Sequence, residues 1–179
     1  MTPDIKRRIH AFRNALVLAA DTRSHECFEM GRWKELNEFP HGCGDLASHF
    51  LAQYLQDSDP TLKPVIVSLT TTPAFRRNEQ STIEAHTFVE LHGWFIDLTL
   101  SQFPEYEHRV VIDDRTGLLS RLRARILASE GEETECGIQL DTYENGGELY
   151  AWLRATADRL LVSTRPSPAA NDGKETGRL

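Results

Sequence analysis

Apolar residues recur at every third or fourth position in three parts of the chain, and each part is predicted to be a helix. The first follows Thr2-Pro3-Asp4, a hydroxyl, a proline and an acid that are typical of a helix start. The second begins at Cys43 and ends near residues 57–60, and the third follows Asn145-Gly146-Gly147. Their apolar positions are Ile5, Ile9, Phe12 and Leu16, then Leu46, Phe50, Leu51, Tyr54 and Leu55, then Leu149, Trp152, Leu153, Leu160 and Leu161.

The pattern between the second helix and residue 112 is typical of strands. Residues 64–69 form a β-branched run that predicts a buried strand. Residues 84–99 predict a hairpin, and residues 109–112 predict one further strand. Residues 73–81 are rich in charge and are predicted to be an exposed loop. Residues 21–42 lack periodicity and are predicted to be a loop with one short helical piece near its end.

These elements predict one α+β domain over residues 1–165. We expect an antiparallel sheet of about four strands, packed against the helix that begins at Cys43, with the other helices around it. Within residues 115–140 the apolar spacing up to Ile126 fits a helix, whereas residues 129–133 fit a loop. Residues 166–179 consist mainly of proline, alanine, glycine and charged residues, so they are predicted to be a disordered tail.

Charge and composition argue against several classes of function. The formal net charge is -7, whereas nucleic-acid binding needs a basic stripe, so no nucleic-acid partner is expected. No apolar run approaches the roughly 20 residues that span a bilayer, and the N-terminal residues lack the apolar stretch of a signal peptide. We therefore expect a cytoplasmic protein without a membrane partner. Three scattered cysteines, at positions 27, 43 and 136, are too few for a disulfide framework.

The predicted hairpin places a histidine and an aspartate on one face of the sheet. His92-Gly93 is a two-residue turn signal between two apolar runs. With that turn, Val89 lies opposite Ile96, and the next pair brings residue 88 opposite residue 97. Because side chains alternate between faces, His86 and Asp97 then become diagonal neighbours, with backbones roughly 7–8 Å apart. That distance suits a hydrogen bond between an imidazole and a carboxylate.

Cys43 lies between two glycines where the second helix begins. The N-terminus of a helix lowers a cysteine pKa, and its free N–H groups can hold a developing oxyanion. If this helix packs across the hairpin, His86 takes the thiol proton and Asp97 fixes the imidazole tautomer. Taken alone, a cysteine at a helix start is usually a small buried apolar residue. The hypothesis of a catalytic triad therefore depends on the three residues occurring together.

The same segments resemble the transglutaminase-like, papain-like cysteine enzymes, whose catalytic groups follow the order cysteine, histidine, aspartate. Residues 42–47, Gly-Cys-Gly-Asp-Leu-Ala, open a helix as the cysteine motif of that superfamily does. Residues 86–91 read His-Thr-Phe-Val-Glu-Leu, where the histidine motif often reads His-Ala-Trp-Val-Glu-Val. Residues 94–99 read Trp-Phe-Ile-Asp-Leu-Thr, where the aspartate motif often reads Trp-x-x-x-Asp-Pro-Thr. The resemblance covers residues 39–103, and its departures from the motifs include positions 87, 88 and 98.

The resemblance implies a cysteine hydrolase or acyltransferase that acts on an amide or ester of a protein or peptide. The acyl group would form a thioester on Cys43, with His86 as the general base and Asp97 as its orienting group. No cofactor and no metal are expected. Four residues are candidates for the substrate and oxyanion site: Gly42, Gly44, Asn37 and Gln102.

Two other functions remain open at this point. The altered hairpin motif is compatible with a binding module that keeps this fold without turnover. A metal site is the other alternative, although the spacing of its residues is not a recognised zinc pattern. Its ligands would be Cys27, His41, Cys43 and His49.

Overall fold

The computed structural model describes residues 1–21, 24–139 and 146–163. The helices that begin at residues 3, 44 and 147 confirm the three that the apolar spacing predicts. The predicted disordered tail, 166–179, lies outside the described residues. Single 3-10 turns occur at His25–Cys27 and Leu100–Gln102. The six α-helices of the described residues are α1 (Pro3–Ala20), α2 (Trp33–Leu36), α3 (Gly44–Ser58), α4 (Pro73–Glu79), α5 (Leu118–Ala128) and α6 (Gly147–Ser163).

The strands form one antiparallel sheet in the order β4-β3-β2-β1-β5. This arrangement confirms the α+β class. It also places β2, which carries His86, at the centre of the sheet, with β1 on one side and β3 on the other. The five strands of the described residues are β1 (Val65–Thr70), β2 (Ala85–Leu91), β3 (Trp94–Asp97), β4 (Val111–Asp113) and β5 (Glu132–Cys136).

One predicted loop is wrong, and a second is wrong at its last two residues. Residues 73–81 contain α4, which begins like α1: the Thr72 side chain accepts a hydrogen bond from the Phe75 backbone N–H, and a proline follows the cap. The predicted loop at 129–133 overlaps β5, a glutamate-rich edge strand that shows no apolar alternation. It forms because β1 offers a free edge for pairing and because Glu133 pairs with Arg123 of α5. The sheet therefore has one strand more than the four expected.

Helices cover both faces of the sheet, so the domain has two apolar cores. The larger core lies between the sheet and α1, α3 and α6, and Val89 is one of the strand residues that point into it. The smaller core lies between the other face and α4 and α5, and it contains Phe88 and Phe95. Because side chains alternate along β2, His86 lies on the same face as Phe88.

Gly131 joins α5 to β5 at a point of close backbone approach. A Cβ atom at this position would lie 2.4 Å from Ile126 Cγ2 and 2.7 Å from the Thr70 carbonyl oxygen. We predict that Gly131→Ala lowers the free energy of unfolding by about 1–3 kcal/mol, because the backbone must shift to relieve the overlap. Denaturant unfolding measures this change. Gly137→Ala is the matched control, since a Cβ there meets no atom within 4 Å, and an equal loss in both variants would contradict the explanation.

Candidate active site

The hairpin of β2 and β3 has the predicted turn and register. His92 and Gly93 have φ angles of 51° and 80°, the left-handed values of a type I′ turn. The register pairs residue 91 with 94 and Val89 with Ile96. The ladder ends there, one pair before the predicted Phe88–Asp97 pair, yet the alternation still places His86 and Asp97 on one face.

His86 and Asp97 form a buried hydrogen-bonded pair. Nε2 of His86 bonds Oδ2 of Asp97. The other carboxylate oxygen, Oδ1, accepts hydrogen bonds from the Thr99 backbone N–H at 2.7 Å and from the Thr99 hydroxyl at 3.2 Å. His86, Asp97 and Thr99 are only 3%, 2% and 1% exposed. The carboxylate is therefore satisfied on both oxygens, and it fixes the direction in which the imidazole points.

The second nitrogen of the His86 ring has no hydrogen-bond partner among the described residues. This atom, Nδ1, is fully buried. The edge of the ring packs against Phe103, with ring centres 5.2 Å apart. Nδ1 faces the start of α3, because a Cβ atom built on Gly44 would lie 3.7 Å from it. The imidazole is thus held as a general base would be, with one nitrogen bound to a carboxylate and the other available.

The Cys43 thiol does not point toward His86. Its Sγ lies 2.9 Å from the Glu35 carbonyl oxygen and 3.2 Å from the His41 carbonyl oxygen, and the residue is fully buried in the larger core. No hydrogen bond joins it to His86, whose Nδ1 has no partner among the described residues. The expected meeting of Cys43 and His86 is therefore absent from this structure, because the thiol is turned toward the carbonyl oxygens of Glu35 and His41.

The surroundings of Cys43 also disfavour its thiolate. Burial, together with the smaller effect of the Glu35 and Glu38 carboxylates, raises the pKa of the thiol to about 11. A helix N-terminus lowers a cysteine pKa only where the sulfur faces the free N–H groups. Here Cys43 is the N-cap residue of α3 and its side chain makes no capping bond. At neutral pH this sulfur is a thiol.

The structure brings Gln102 to the candidate site and leaves Asn37 outside it. Oε1 of Gln102 accepts a hydrogen bond from the Gly42 backbone N–H at 3.1 Å. Asn37 is exposed at the C-terminal end of α2. Gly42 itself has a φ of 68°, a conformation that glycine adopts without strain. Of the two proposed oxyanion donors, only Gln102 is thus beside the loop that carries Cys43.

Sequence reasoning missed two residues that build the site. Thr99 completes the bonds to Asp97, and an aspartate followed two residues later by threonine is a local turn signal that could have indicated it. Phe103 lies against the His86 ring through a contact that no local pattern predicts.

The alternative metal site is not formed. Across residues 1–21, 24–139 and 146–163, no group of three or more His, Cys, Asp or Glu side chains is placed to hold a metal ion. His49, one of the four proposed ligands, lies instead 3.6 Å from the Asp45 carboxylate.

Comparison with known proteins yields relatives but no function. No model of a protein family matches the chain, and no solved structure matches it. The chain is 34% identical over 113 residues to "Uncharacterized protein YuaU" of Escherichia coli, both in strain UTI89 / UPEC and in strain K12. That alignment covers 63% of this chain and 48% of each relative, so the chain spans about half the length of the curated relatives it matches. None of the helices described is long and apolar enough to cross a bilayer.

We predict that Asp97→Asn keeps the fold and inverts the tautomer of His86. The introduced side-chain amide would turn its N–H donors toward the N–H at Nε2. Two donors cannot bond each other, so the ring proton moves to Nδ1. Replacing a charged bond in this buried network costs about 1–3 kcal/mol of unfolding free energy. The ¹⁵N shifts of the imidazole report the tautomer, and denaturant unfolding reports the cost. Glu107→Gln, at an exposed position, is the control. A ring that keeps its proton on Nε2 would show that Asp97 does not set the tautomer.

Proposed function

We propose that this chain is a binding module with the His–Asp half of a cysteine-hydrolase site, and that it holds an amide-bearing protein or peptide ligand without cleaving it. The position of the Cys43 thiol carries this proposal. The sulfur bonds the carbonyl oxygens of Glu35 and His41 in the larger core, and no hydrogen bond from the described residues reaches Nδ1 of His86. A nucleophile must reach its base within hydrogen-bond distance, and this one does not.

The retained pair supports a binding role. Nδ1 of His86 is a buried acceptor without a partner among the described residues while Nε2 bonds Asp97, and such an unsatisfied group costs about 1–3 kcal/mol. A ligand N–H that donates to Nδ1 would recover this free energy, and it requires the loop at Gly42 to move, since Nδ1 is closed to solvent. Amide groups of a peptide supply that donor, and the exposed loop at Gly42 lies next to the α3 start that Nδ1 faces.

The second candidate is the cysteine hydrolase or acyltransferase that the motifs imply, with Cys43 as nucleophile. It is favoured by the His86–Asp97 bond, since its geometry is the one that a cysteine triad uses. This reaction needs the Cys43 side chain to leave both of its carbonyl contacts and turn toward Nδ1 of His86. It also needs a thiolate, which the buried position of this sulfur disfavours.

Alkylation by iodoacetamide separates these two functions. We predict that near neutral pH Cys43 reacts more slowly than Cys136, because Cys43 is fully buried and Cys136 is half-buried on an edge strand. Mass spectrometry of the digested protein gives the rate at each cysteine. Since Cys43 has a pKa of about 11, its rate should rise steeply only in strongly alkaline solution.

His86→Ala is the matched variant for the same assay. It should leave the Cys43 rate unchanged if the two residues do not interact. Fast labelling of Cys43 at neutral pH that depends on His86 would contradict the binding module and favour the hydrolase. Turnover of a capped peptide amide that is lost in Cys43→Ala would have the same meaning.

A further inference from the structure

We infer that residue 44, and not residue 43, is the nucleophile position of this site, and that Gly44 leaves the position without a side chain. The inference rests on the proposed function and deepens it, because it names what the site lacks. Gly44 is the first residue of α3 and is half-buried. Its backbone faces the free nitrogen of His86.

The space at Gly44 accepts a Cβ atom close to His86. A Cβ atom there would lie 3.5 Å from Thr99 Oγ1, 3.7 Å from His86 Nδ1 and 3.7 Å from the Thr87 carbonyl oxygen. These are ordinary van der Waals distances, so no neighbour has to move. All three neighbours are hydrogen-bond acceptors or can be, and a thiol or hydroxyl donor complements them.

The difference between positions 43 and 44 explains why the Cys43 thiol does not bond His86. Successive side chains at a helix start diverge by about 100°, since a helix has about 3.6 residues per turn. The side chain of Cys43 lies in the larger core and bonds the carbonyl oxygens of Glu35 and His41, whereas a Cβ atom at Gly44 would lie 3.7 Å from Nδ1 of His86. Two neighbouring positions thus have different surroundings.

The state of His86 supplies an independent observation. The ring is 3% exposed, its Nε2 is bound to Asp97, and its Nδ1 has no partner among the described residues. A buried imidazole is normally satisfied on both nitrogens. An unpaired nitrogen that faces the first turn of a helix of 15 residues is what remains when a donor at position 44 is missing.

A thiol at position 44 would lie close both to a base and to the positive end of a helix. The sulfur would transfer its proton to Nδ1 of His86, and the N-terminus of α3 would stabilise the thiolate. With iodoacetamide, the thiolate sulfur forms a bond to the methylene carbon and the carbon–iodine bond breaks. Iodide leaves, and the proton stays on the imidazole.

Gly44→Cys tests the inference, with Gly137→Cys as the matched control, since residue 137 is exposed and a Cβ there meets nothing within 4 Å. We expect the introduced thiol at position 44 to react about tenfold faster near neutral pH than the one at position 137, because a pKa lowered into the range of roughly 3.5–7.5 makes most of it thiolate. Adding His86→Gln should remove most of this advantage. Equal rates at the two positions, or an advantage that survives His86→Gln, would overturn the inference.

Gly44→Ser provides a second measurement should the thiol variant fail to fold. A hydroxyl at position 44 should donate to Nδ1 and shift its ¹⁵N resonance, while Gly137→Ser should not; an unchanged resonance would overturn the inference. These outcomes are distinct from failure of the proposed function, which is decided by the reactivity of Cys43 in the unaltered chain. A fast Cys43 would refute the binding module, whereas a slow thiol at position 44 would leave that module standing with a different site.

Discussion

The bond between His86 and Asp97 is the interaction on which the geometry of the site depends. Both groups are buried, and a buried carboxylate is tolerated only when hydrogen bonds replace the water it loses. Three bonds do so here, one from His86 and two from Thr99. The same bonds leave the imidazole a single orientation, because Nε2 must face Asp97. Nδ1 therefore has to face the start of α3, whatever residue stands there.

The register of the hairpin is what allows this bond to form inside the sheet. The left-handed turn at His92 and Gly93 fixes which residues pair. Since a slip by one residue would exchange the two faces, it would send His86 into the larger core and leave Asp97 without its partner. Phe88 and Phe95 hold the register from the same face, because both are buried beneath α4 and α5. The polar pair is thus fixed by apolar neighbours.

Local sequence patterns predict the His86–Asp97 pair, but they do not predict the direction of the Cys43 thiol. The alternation of apolar and polar residues is a property of the chain itself, so the shared face of His86 and Asp97 follows from it. The direction of Cys43 depends instead on the carbonyl oxygen of Glu35, supplied by a segment without periodicity. Strand β5 was missed for a similar reason, since its pairing with β1 decides its structure and its own residues do not.

The contrast between positions 43 and 44 shows how strongly the surroundings of a thiol depend on a shift of one residue. A cysteine fits both the core and a catalytic helix start, because it is a small apolar side chain as well as a nucleophile. At position 43 the core supplies carbonyl partners and low polarity, and the pKa rises accordingly. At position 44 the sheet supplies an oriented base. A partial match to a catalytic motif therefore does not establish catalysis, because a shift of one residue at a helix start changes which groups a thiol meets.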